Sequence, residues 1–243
     1  MGRLKQRAFE FRGWGGKRKG AGRKRLAARR QVAHRTRPEL DGRTPVHITL
    51  RLLPEVGRLR RRDQYKAIRH ALARVAHRET CRICQYSIQG NHLHLIVEPS
   101  SKDGLRRGMI AFKSSCARRL NGLVGRTGRV FADRYHARSL RSPAQVRRAL
   151  CYVLNNWRRH GEHLAHRDWR TDPFSSADFF DGWTEDRNQT RPKRPWPWPW
   201  PWGPEDTPPV ADAGFWLLTT GWRRHGTIGT REVPGPRTRP RAT

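Results

Sequence analysis

The sequence predicts an α+β domain in which an antiparallel sheet carries helices on one face, the ferredoxin-like arrangement. Three observations predict it. Apolar and polar residues alternate over Val46–Leu53 and again through residues 82–98, the two-residue period of strands. Apolar residues recur at intervals of three and four over residues 62–77, 105–123 and 143–159, as on a helix with one buried face. The order is then strand, helix, strand, strand, helix, strand, helix. In split β-α-β units of this kind the first and third strands are central.

Taken in order, Val46–Leu53 is closed by Pro54 and Gly57, which punctuate strands. The helix over 62–77 places Tyr65, Ile68, Leu72, Val75 and Ala76 on one side. Residues 82–88 form a second strand, and Gln89-Gly90-Asn91 turns it into a third, beginning at His92. The second helix carries Leu105, Met109, Phe112, Cys116, Leu120 and Leu123 at intervals of three and four, while Arg106, Arg107, Lys113, Arg118 and Arg119 occupy its other faces. A fourth strand is expected from Arg129–Phe131 through Tyr135–Leu140. Ser142 then caps the third helix with Pro143 at its first position, and Gly161 supplies the left-handed stop.

On either side of this domain the composition changes. Lys and Arg number 52 against 20 Asp and Glu, a formal net charge of +32 over 243 residues. No ordinary fold requires that bias, which points to a polyanionic partner, nucleic acid first. Residues 1–43 read as a disordered basic arm, with Lys17, Arg18, Lys19, Arg23, Lys24 and Arg25 in a stretch without apolar period. Residues 44–173 form the domain, and 174–243 a low-order tail. That tail holds the Trp196–Trp202 alternation of Trp and Pro and repeats Trp157–Gly161 as Trp222–Gly226. Alternating indoles either stack on unpaired bases or pack on the domain. The N-terminus has no signal-type apolar core and no stretch reaches the length of a membrane span, so the expectation is a cytoplasmic, nucleoid-associated protein with no membrane partner. Cys81, Cys84, Cys116 and Cys151 read as reduced thiols. Cys81-x-x-Cys84 lacks a second ligand pair at zinc-finger spacing.

Chemistry concentrates in two places. His92 and His94 alternate with Leu93 and Leu95, so both imidazoles project from one strand face and can share a divalent metal. On the third helix Val146, Leu150, Val153, Leu154 and Trp157 cluster on one side. Tyr152 lies opposite among Arg148, Asn155, Asn156 and Arg159, with Asn156 one turn along the same face. A phenol there suits nucleophilic attack on phosphate. A metal held by His92, His94 and the Asn156 amide oxygen would polarise that phosphate. Arg158 completes the basic end of the helix.

An H-x-H strand followed by a helical Tyr-x-x-x-Asn resembles the HUH single-strand transposases with one catalytic tyrosine. Asn91–Val97 and Tyr152–Asn156 look in particular like the motifs of the REP-associated tyrosine transposases of bacteria, and the similarity spans roughly residues 44–162. The resemblance implies Mg²⁺ or Mn²⁺ on His92, His94 and Asn156, and attack by Tyr152 on single-stranded DNA. The products would be a 5′-phosphotyrosine and a free 3′-OH. It also implies imperfect palindromic hairpins as substrate, and a monomer or a homodimer. This chain departs from the family pattern at Trp157, where proline often follows the asparagine.

Two rivals remain on sequence alone. One is a non-catalytic, domesticated hairpin DNA- or RNA-binding protein. The other is a two-histidine phosphoesterase, for which His47-Ile48-Thr49 supplies one motif, while His92-Leu93-His94 does not end in a hydroxyl residue. Tyr65, Tyr86 and Tyr135 are alternative nucleophiles, with Tyr135 the next to test.

Overall fold

The structure is a computed structural model that describes residues 40–166, 169–186 and 209–235. Five antiparallel strands form one sheet in the order β2-β3-β4-β1-β5: β1 (Val46–Arg51), β2 (His77–Arg78), β3 (Cys81–Ile88), β4 (His92–Pro99) and β5 (His136–Ser139). The His-bearing strand β4 is therefore interior, between β3 and β1, as the element order predicts. β5 is shorter than expected. Residues 129–135 run as irregular chain, touching the sheet through a single bridge between Phe131 and Leu52.

Helices α1 (Arg62–Ala73) and α2 (Lys102–Leu123) cover one face of the sheet. Their apolar stripes, including Ile68, Leu72, Met109, Phe112 and Leu120, meet Ile48, Leu50, Leu93, Leu95 and Val97 in a first core. α2 comes close to the sheet at Gly108, where a Cβ would collide with Cys81. It starts one turn earlier than the apolar period shows, because Ser101 Oγ accepts the Gly104 amide 3.0 Å away.

α3 (Pro143–Arg159) covers the opposite face. It begins where the sequence says, with Ser142 Oγ accepting the Gln145 amide at 3.3 Å, and ends before Gly161 at φ 71°. Val146, Leu150, Val153 and Leu154 pack with Cys84 and Ile96 in a second core. The α+β class and the antiparallel sheet are as read. The third helix adds a layer on the face to which His92 and His94 point.

The tail boundary at residue 174 needs correction. Phe174 is buried in the first core, while Phe180, Trp183, Leu218, Trp222 and Ile228 complete the second. A short helix α4 (Trp216–Thr219) and the 3₁₀ turn Gly221–His225 bring Trp222 into place at 1 % exposure. The reason is a set of contacts between distant parts of the sequence. The buried Glu98 carboxylate accepts the Gly214 and Phe215 amides at 2.8 Å each, and Arg82 at 2.6 Å, which pins residues 209–235 to β4. Bidentate pairing of Arg60 with Asp172 at 2.9 and 3.0 Å ties the preceding segment to the sheet. Arg60 also lies 4.4 Å over the Phe174 ring. The Trp-Pro alternation at 196–202 and the basic arm through residue 39 lie outside the described residues. Among the described residues no helix is long and apolar enough to cross a membrane.

Candidate active site

Strand register assembles the site. β1 and β4 pair antiparallel with Thr49 opposite His94 and Arg51 opposite His92. Side chains two apart on a strand share a face. His47, Thr49 and Arg51 of β1 therefore stand beside His92 and His94 of β4, all on the α3 side. His94 is 3 % exposed. Its Nδ1 lies 3.1 Å from His47 Nε2 and 3.3 Å from Thr49 Oγ1. His92 is half-buried, with Nδ1 2.9 Å from Asn91 Oδ1. Asn91 thus orients the imidazole that follows it. The His92 ring meets His94 edge-on at 4.8 Å and reaches His160 at 5.9 Å.

α3 lays Tyr152 across these rings. Tyr152 is half-buried. Its ring lies 5.0 Å from that of His94, nearly perpendicular at 79°, and 5.8 Å from that of His47. One turn on, Asn156 is fully buried, not on the exposed polar face the helical wheel suggests. Neither of its side-chain polar atoms has a hydrogen-bond partner, and the same holds for His94 Nε2. Asn155 is buried as well, donating to the Gly229 and Glu232 carbonyls at 3.0 and 2.9 Å.

Burial makes these histidines poor bases. Desolvation, helped by His136 and Arg138, brings His47 down to about 4. Desolvation with His160 and Arg51 does the same to His92. His94, buried among His47, His92 and His160, falls to about 2. Neutral imidazoles keep the lone pair that a metal needs.

Among the described residues no group of three His, Cys, Asp or Glu forms a metal cluster. The set read from sequence, two histidines and an amide, nevertheless fits a divalent ion by its donor chemistry. The Nδ1 atoms of His92 and His94 are engaged, which leaves their Nε2 atoms as donors. Buried polar atoms without partners are costly, and His94 Nε2 and Asn156 Oδ1 are two such atoms. The fixing of one ring nitrogen to free the other is the usual support of a metal-binding histidine.

Beside this cluster opens a cavity of about 740 Å³ lined by His47, His94, Tyr152, Arg138, Arg148 and Arg159 among others. Residues Glu232–Gly235 form one wall of it. Arg148 and Arg159 are exposed at its rim. Arg158 departs from the expected role: Nε donates to the Thr230 carbonyl at 2.7 Å and Nη2 to that of Arg170 at 2.9 Å. Its guanidinium holds the C-terminal segment. The other tyrosines are elsewhere, with Tyr65, Tyr86 and Tyr135 in the first core on the far face. Cys81 and Cys84 face different cores, across a register shift between Ile83 and Gln85. They cannot converge on one ion, and desolvation pushes the Cys81 thiol up to about 12.

The stretch that builds this arrangement, residues 45–156, matches the model of a family described as IS200-like transposases. Residues 45–156 are thus similar to the members of that family. The matched stretch starts one residue before β1 and ends on Asn156, so it contains His47, His92, His94 and Tyr152 as well. A solved structure described as a REP-associated tyrosine transposase bound to a REP hairpin aligns with a TM-score of 0.49 and 21% identity, over 64% of this chain and 93% of that one. A candidate transposase from Deinococcus radiodurans R1 aligns with a TM-score of 0.34 and 10% identity, over 57% of this chain and 97% of that one. No curated protein matches the chain.

Proposed function

We propose that this transposase nicks and rejoins single-stranded DNA at repetitive palindromic hairpins, with Tyr152 as nucleophile. The observation that carries this reading is the placement of the Tyr152 ring 5.0 Å from His94. It stands on the face shared by His92 and His94 and on the wall of an Arg-rimmed cavity. The nucleoid is where such a protein would act.

Each residue has a task. Tyr152 Oη forms a bond to the 5′ phosphorus and loses its proton to solvent. The P–O3′ bond breaks, and O3′ takes the electron pair and a proton to leave as a 3′-OH. Attack by a 3′-OH on the phosphotyrosine reverses the step and rejoins strands. Arg148 and Arg159 at the rim, with Arg138 across the cavity, bind the backbone phosphates. His92, His94 and Asn156 would hold Mg²⁺ or Mn²⁺, which would supply Lewis-acid polarisation of the phosphate oxygens. His47 and Thr49 keep His94 in the orientation that frees Nε2. The basic arm from Lys17 through Arg25 adds sequence-independent attraction.

The test is incubation with labelled single-stranded hairpins bearing unpaired flanks, with and without Mn²⁺. A covalent protein–DNA adduct whose peptide contains Tyr152 supports the reading. Hairpin binding without any adduct under every metal condition would favour the non-catalytic rival.

A further inference from the structure

We propose that Gln89 is a positioning residue for the metal site, its Oε1 accepting an N–H of the Asn156 side chain and so turning Asn156 Oδ1 toward the ion. This rests on the reading of His92, His94 and Asn156 as metal ligands and adds the group that orients the amide. His47 and Thr49 hold His94 from β1, and Asn91 holds His92. Asn156 has no such support among the described residues, since neither polar atom of its side chain has a partner.

The sheet brings Gln89 to the face it needs. Ser87 stands opposite His94 in the β3–β4 register, and the Gln89 backbone amide donates to the His92 carbonyl at 2.9 Å. Residues paired across antiparallel strands project to one face. Ser87 and Gln89 therefore share the face of His92 and His94, the face that α3 covers. There Ser87 and Asn156 are fully enclosed and Gln89 is 1 % exposed. Gln89 Nε2 donates to Ser87 Oγ at 2.6 Å, which anchors the side chain on the strand that neighbours His94. Gln89 Oε1 is a buried acceptor without a partner among the described residues.

A buried amide oxygen is costly unless a donor reaches it. Among the described residues the buried nitrogens without partners are few. His94 Nε2 turns its lone pair to the ion in the proposed site. Arg60 Nε faces Glu162 at 3.7 Å. Trp157 Nε1 has the ring of His163 beside it, centroids 6.0 Å apart, and His163 Nδ1 lacks a partner too. Arg126 lies past the end of α2, in the layer on the other face. Asn156 Nδ2 remains, on the helix that faces Gln89. The match is reciprocal, because an amide whose Oδ1 binds an ion needs an acceptor for its Nδ2. Such a hydrogen bond fixes which atom faces the ion, as a carbonyl does for a ligating histidine.

The experiment is calorimetric titration of the full chain with Mn²⁺, for wild type, Gln89→Leu, Asn156→Ala and the double variant. Gln89→Leu keeps the bulk and removes the acceptor, and is expected to weaken Mn²⁺ binding about ten-fold or more. Gln89→Met, unbranched and of similar length, is measured beside it with the same expectation, so that a packing fault in one does not decide. In the Asn156→Ala background, itself weakened, Gln89→Leu is expected to add less than about two-fold, because it acts only through the amide. Metal-free unfolding midpoints are expected to stay near wild type. Wild-type affinity in both Gln89 variants would overturn the proposal, as would losses of equal size in both backgrounds or weaker binding only in step with a lower midpoint. Loss in Asn156→Ala without loss in the Gln89 variants leaves the metal reading standing and this proposal overturned. Wild-type affinity in Asn156→Ala overturns both. No readout depends on cleavage.

Discussion

His47 Nε2 lies 3.1 Å from His94 Nδ1, so the ring that faces Tyr152 is held by a histidine from the neighbouring strand. Removing such a support commonly costs about ten- to a hundred-fold in metal affinity. His47→Ala is therefore expected to weaken Mn²⁺ binding by that order in calorimetric titration. His47→Asn, which keeps a polar group near the same position, should recover part of the loss. Unchanged affinity in His47→Ala would show that Thr49 alone orients His94.

The same burial makes stability depend on pH. His47 and His92 are held at about 4, whereas an unfolded chain titrates near about 6.5. Between those values the unfolded state binds more protons than the folded state, so stability rises with pH there. Stability contributed by the neutral rings is full above about pH 6.5 and is lost as the pH falls toward 4. Urea midpoints measured across this window should fall for the wild type. His47→Asn/His92→Asn should flatten the dependence, and parallel curves would contradict the assignment.

Much of this site is legible in the sequence itself. Alternation around His92 and His94 specifies a strand and the face both rings share. Ser142-Pro143 marks the start of α3, and helical geometry puts Tyr152 away from Leu150 and Val153. What stays hidden depends on partners far along the chain. A helical wheel marks Asn155 and Asn156 as polar neighbours of Tyr152, but it cannot show that the backbone of 229–232 seals Asn155 or that Asn156 is fully enclosed. His47 joins the site only through the β1–β4 register, which alternation leaves unspecified. The packing of Trp222 depends on Glu98, more than a hundred residues earlier, accepting the amides of Gly214 and Phe215.

That packing makes the C-terminal segment part of the fold. Trp222 is 1 % exposed against Phe180, with ring centroids 5.5 Å apart. Truncating a buried Trp to Ala costs about 3–5 kcal/mol. Trp222→Ala should lose that order of stability in equilibrium urea unfolding and raise hydrogen exchange over residues 209–235. A cost indistinguishable from a surface substitution would mean that the segment does not support the second core.

The Arg60–Asp172 pair is fully enclosed, with both side chains at 1 % exposure or less. Breaking a buried pair by removing one partner is costly, about 3–5 kcal/mol, because the other charge is left uncompensated. Arg60→Ala should show that loss in the same unfolding measurement. Arg106→Ala, whose ion pair is exposed, should change stability by less than about 1 kcal/mol.

In the proposed mechanism Tyr152 cuts DNA beside His92, His94 and Asn156. The most direct measurement compares wild type and Tyr152→Phe on a labelled flanked hairpin with Mn²⁺, resolving free DNA, cleaved DNA and covalent adduct on a denaturing gel. Wild type is expected to form an adduct mapping to Tyr152, whereas the variant binds the hairpin yet forms neither adduct nor cleaved product. Undiminished cleavage by Tyr152→Phe, or an adduct mapping to another tyrosine, would contradict this mechanism.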